Sequence, residues 1–110
     1  MELHVEKVDR IFQTQSIYKS VLVCERNRIR SLHTALRERD FPVSTIDQLA
    51  KFVTSNDRIL LLCPSDANNL NLILGNALHV RGEVSALICV KGTKFVPTKS
   101  YWEGVPIFFV

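Results

Sequence analysis

SVLVCERNRIRSLHTALRERDFPV, residues 20–43, decides how this chain folds. Its first six residues, Ser20 to Glu25, are short, apolar and valine-rich, which suits a buried strand. Asn27 can then cap a helix, because its side-chain oxygen can accept an amide hydrogen of the first turn. Ile29, Leu32, Ala35 and Leu36 recur at helical spacing on one side. Asp40, Phe41 and Pro42 end that helix, and Val43 opens a second extended segment. A strand–helix–strand unit of this kind needs a parallel sheet to bury both faces of its strand.

The pattern continues on both sides. Leu3, Val5 and Val8 read as a loose extended start, and Asp9 as the cap of a short helix through Lys19 that turns Ile11, Phe12 and Tyr18 inward. Downstream, Ser44 and Thr45 can cap a helix carrying Ile46, Leu49, Ala50 and Val53. Ile59 to Cys63 is the most hydrophobic strand and is expected at the centre. Ser65 or Asp66 can cap a helix with Leu70, Ile73, Leu74 and Ala77, which Gly82 ends. Val84 to Val90 is a further strand, Lys91 to Gly104 a loop, and Pro106 to Val110 a last strand. Strands alternate with helices throughout, so the expected fold is α/β, three-layered, with a mainly parallel sheet of about five strands and right-handed crossovers.

The chain's 110 residues suit one domain over 1–110, and an apolar share of 46% supplies its core. A net charge of +3 permits contact with RNA or an acidic protein without demanding it. Cys24, Cys63 and Cys89 all lie in strand-like runs, with neither zinc nor disulfide spacing, which fits a reducing, cytoplasmic setting. His4, His33 and His79 show no ligand spacing, so no metal or other cofactor is expected. No apolar run approaches the length of a membrane span, and the start, Met1-Glu2-Leu3-His4, lacks the pattern of a leader.

In the order of its elements the chain resembles the second, RecA-like lobe of DEAD-box RNA helicases. Val21 to Arg37 resembles helicase motif IV and its helix, and Leu61 to Asp66 sits where the strand of motif V ends. Ala86 to Val90 matches the strand after it, and Tyr101 to Val110 the tyrosine-led ending of the lobe. The departures concern chemistry. Ala67-Asn68-Asn69-Leu70 stands where that family has an Arg-Gly-Asp stretch, and Lys99 to Gly104 lacks the arginines that reach ATP phosphates. The segment between Val43 and Arg58 is short for the family's glutamine-bearing helix. The resemblance therefore implies a catalytically degenerate lobe, as in the Tudor-domain helicase-like proteins of the piRNA pathway. It implies a scaffold in cytoplasmic RNA silencing granules that associates with itself or another protein.

Two sets of residues are candidates for contacts. Arg26, Arg28 and Arg30 head a helix that also carries Arg37 and Arg39, with Arg30 and Arg37 on one flank and Arg28 and Arg39 on the other. Such a surface suits RNA phosphates, and equally a solvated helix face. Tyr101, Trp102, Ile107 and Phe109 can anchor a partner, or pack on the sheet's own edge. A different reading makes the chain an enzyme. Cys24 to Ser31 satisfies the Cys-x5-Arg-Ser pattern of low-molecular-weight tyrosine phosphatases, with Cys24 as nucleophile and Arg30 as phosphate clamp. Arg26 stands where that family has glycine, and no acidic Asp-Pro follows near the end. The plainer reading of Cys24 is a buried strand-end residue.

Overall fold

The computed structural model describes residues 2–15, 17–67, 69–81 and 84–110, except the side chains of 2, 3 and 77–81. Five strands, β1 (Lys19–Cys24), β2 (Val43–Thr45), β3 (Ile59–Pro64), β4 (Ala86–Cys89) and β5 (Ile107–Phe109), form one sheet. Its order is β2-β3-β1-β4-β5 and every pairing is parallel. The helices are α1 (Glu2–Thr14), α2 (Arg26–Glu38), α3 (Leu49–Thr54, entered by a 3-10 turn, Ile46–Gln48), α4 (Leu70–Arg81) and α5 (Lys99–Trp102).

Strand alternation explains the layering. In β1, Leu22 and Cys24 join one core with Leu60, Leu62, Ala86 and Ile88, while Val21 and Val23 join a second with Leu61, Cys63, Leu87 and Cys89. The first core is roofed by Val5, Val8 and Phe12 of α1 and by Leu32 and Leu36 of α2. The second is roofed by Phe52 of α3, Leu70 and Leu74 of α4 and Trp102 of α5. The fold is thus a three-layer α/β sandwich. α2 carries the chain from β1 toward the β2 side on one face, and α3, α4 and α5 carry it the opposite way on the other face. All four crossovers therefore share one hand.

Several expected elements shift. The first helix spans Glu2–Thr14 rather than starting at Asp9, because Val5, Val8 and Phe12 form one buried helical stripe. Tyr18 points to solvent and Lys19 begins β1, where its ammonium donates to the Val53 carbonyl at the end of α3 at 3.3 Å. β1 is the central strand; β3, the most apolar, lies beside it. Asn27 is inside α2, whose N-cap is Glu25 in extended geometry with no side-chain cap bond. Thr45 does cap, in a reciprocal box with Gln48. Neither Ser65 nor Asp66 begins α4, which starts at Leu70 after Asn69 adopts a left-handed φ of 60°. Ile73 is exposed rather than inward. Ala77's side chain and Gly82 lie outside the described residues.

Candidate functional site

In an open parallel sheet, ligands favour the crevice where neighbouring strands send their crossovers in opposite directions. Here that point lies between the C-terminal ends of β1 and β3. It is bridged from within. The Ser65 amide donates to the Cys24 carbonyl at 2.7 Å, and Arg26 Nε donates to Asp66 Oδ2 at 3.2 Å. Both side chains of that ion pair are well exposed, so it contributes about 0.2–1 kcal/mol.

The crevice also bears on the Cys-x5-Arg pattern. A phosphate loop needs several residues whose amides curl round one centre. Only Glu25 separates Cys24 from α2, and the Arg28 amide already donates to the Glu25 carbonyl at 2.9 Å. The following amides run along a helix axis and do not converge on an anion. Cys24 is fully buried, on the sheet face beneath α1 and α2, and burial pushes its thiol up to about 11, only partly offset by Arg28. A nucleophilic thiolate needs the opposite shift. Arg30 lies in the second helical turn and faces a different cavity, so this geometry favours the strand-end reading of Cys24.

The arginines of α2 divide by flank. Arg28 turns toward Glu25 (3.8 Å), and Arg39 reaches Glu6 of α1 (3.8 Å). Arg26, Arg30, His33 and Arg37 line the other side, along two adjoining cavities of about 530 and 460 Å3 that share His33. The first cavity opens at the ends of β2 and β3 over Ile29, Ile46 and Pro64. The second runs beside the start of β2, where Lys51 and Arg58 join Arg37. The guanidinium of Arg58 stacks 5.3 Å above the Phe12 ring, and Phe12 meets Phe41 edge-on at 4.7 Å. Of the arginines named from sequence for RNA, Arg26 and Arg30 share a surface and Arg28 does not. His33, which has no metal-ligand spacing in the sequence, stands in this stripe within α2, and Lys51 and Arg58 join it only through the tertiary fold.

The aromatic candidates also separate. Trp102 is 3% exposed, so it belongs to the chain's own core and is not a free anchor. Its indole N–H donates to Asn71 Oδ1 at 2.7 Å. The same oxygen accepts the Thr98 amide at 3.1 Å, while Asn71 Nδ2 donates to the Val96 carbonyl at 3.2 Å. Asn71 thus fastens α5 and the loop before it to α4. The Tyr101 ring lies against Gly75, so close that a Cβ there would fall 2.3 Å from a ring carbon. Ile107 and Phe109, 39% and 66% exposed, remain on the edge strand. Among the described residues no three His, Cys, Asp or Glu gather as a metal site, and no helix is long and apolar enough to cross a membrane. No family model, no curated protein and no solved structure matches the chain.

Proposed function

We propose that the chain is a helicase C-terminal-like module without catalytic duty, whose work is self-association, with RNA as a second and weaker ligand. The setting that follows from the helicase-like reading is a cytoplasmic RNA silencing granule of the piRNA type. What supports the helicase-like part is the run of elements from β1 through α5 to β5, with a short tyrosine-bearing helix before the last strand.

One observation carries the association. Seven large apolar side chains are exposed among the described residues, and six of them, Leu72, Ile73, Val96, Tyr101, Ile107 and Phe109, belong to α4, α5, β5 or the loop before α5. β5 is an edge strand with no second strand partner among the described residues, and α5 has only four residues. A second copy can pair there edge to edge and bury Phe109 against its own kind. Light scattering across a concentration series tests this. The expected result is a mass that rises from one chain toward two, and a Phe109→Glu variant that stays at one. A wild-type chain that remains monomeric throughout the series removes the reading.

A further inference from the structure

Two adjoining cavities form a basic groove along β2. From Arg26 to Arg37 the α2 stripe spans about 16 Å at the helical rise. Five cations and two carboxylates, Asp47 and Asp57, line its two cavities, a surplus that equals the whole chain's net charge of +3. Arg30, Arg37, Lys51 and Arg58 carry no ion pair among the described residues, whereas Arg26, Arg28 and Arg39 each face a carboxylate.

The two compartments differ in kind. One is floored by Ile29, Ile46 and Pro64, and the other is rimmed by Arg37, Lys51 and Arg58. Half-buried His33 stands where they meet. An apolar seat beside a cationic seat suits a repeating ligand of flat base and phosphate. Asp47 sharpens the choice. Its carboxylate, already accepting from the Thr45 hydroxyl, repels an acidic side chain but can accept from an exocyclic amino group or a ribose hydroxyl.

We propose that this groove is a docking site for single-stranded RNA, with a base seated over Ile29 and Ile46 and the flanking phosphates against Arg30, Arg37, Lys51 and Arg58. This deepens the RNA contact of the reading above and is independent of self-association. The site runs along the β2 edge rather than round the head of α2, so Arg28 stays outside it.

Fluorescence anisotropy with labelled deca-adenylate tests the site, run on the wild type and on Phe109→Glu. With four phosphate contacts, log affinity should fall against log salt with a slope of about −2.8. Arg30→Ala/Arg37→Ala should weaken binding at least ~tenfold and flatten the slope by about 1.4, while Arg28→Ala/Arg39→Ala should leave both unchanged. All four side chains are exposed, so neither double variant threatens the fold. Equal loss in the two pairs overturns the site, as does competition by a deca-glutamate peptide as strong as that by unlabelled RNA. Binding that persists in Phe109→Glu supports it even where the wild type proves monomeric. Binding lost in Phe109→Glu overturns it.

Discussion

The two edges of the sheet are built from strands of the same length and finished in opposite ways. β2 and β5 each have three residues. β2 has α2 above one face and α3 above the other, and its middle residue is buried while its ends are half-buried. β5 shows the reverse, with Phe108 half-buried toward the core and Ile107 and Phe109 outside. Beside β2 stand arginines, a lysine and a histidine; beside β5 stands a four-residue helix, with Pro97 and Gly104 near its ends and Ile107 on the strand in the same cavity as Lys99 and Glu103. Charge along an edge discourages strand pairing, and bare apolar edges invite it. The difference teaches that one sheet can finish its two edge strands in opposite ways, one flanked by cations and the other by exposed apolar side chains.

That contrast breaks most readily at the β5 end, because one side chain, Asn71, makes three of the hydrogen bonds that hold its cover. Asn71→Ala removes three hydrogen bonds and leaves the buried Trp102 N–H without an acceptor, which should cost about 1–3 kcal/mol. The loosened α5 uncovers more of Ile107. The expected outcome is a lower urea midpoint with affinity for deca-adenylate unchanged, since the groove lies at the far edge. An equal loss of RNA affinity would mean that the two edges are coupled.

At the β2 end the corresponding change should be small and of opposite sign. Val43 packs on the α1/α2 side, so Ser44 faces α3, fully buried, and its hydroxyl has no hydrogen-bond partner among the described residues. Ser44→Ala removes a polar atom that has lost its water, and should raise stability by up to ~1 kcal/mol, read as a higher urea midpoint at unchanged slope. A clear fall in midpoint would show that the hydroxyl is satisfied in solution and that the β2 end is less dry than its burial suggests.

Much of this plan was legible in the chain. Ser20 to Cys24, Ile59 to Cys63 and Ala86 to Val90 carry apolar residues at every or nearly every position, the mark of strands buried on both faces, and the α2 stripe of Ile29, Leu32 and Leu36 repeats at helical spacing. The helix starts were misread for a common reason. Asp9, Asn27 and Asp66 are capping types, yet each is engaged elsewhere: Asp9 accepts from Gln13 within α1, Asn27 sits inside α2, and Asp66 holds Arg26. A cap preference is local, whereas its outcome depends on partners up to 40 residues away. The same distance hid the link between Asn71 and Trp102, 31 residues apart, and the meeting of Arg37 with Lys51 and Arg58. Exposure was least legible. Phe108 and Phe109 are identical in type, and only the strand's pleat and the shortness of α5 send one inward and one out.

The finest test of the two-edge contrast uses the thiols. Cys24 ends β1 beneath α2, and Cys89 ends β4 beside β5, on the face that α5 covers. Burial raises both thiols from 9.0 to about 11. A folded pKa raised above the unfolded one means that the folded state holds its proton longer. The stability this contributes is whole below pH 9 and is lost as pH climbs from 9 through 11. At pH 8.5, therefore, neither thiol is ionised to any extent in the closed protein, and each cysteine is compared with itself between wild type and variant. What remains is opening. Iodoacetamide labelling followed by peptide mapping should find both cysteines slow in the wild type. In Asn71→Ala, Cys89 should label several-fold faster while Cys24 keeps its rate, because only the α5 roof has loosened. Parallel acceleration at both would show one cooperative core whose edges open together, and the division between a fixed β2 end and a yielding β5 end would fall.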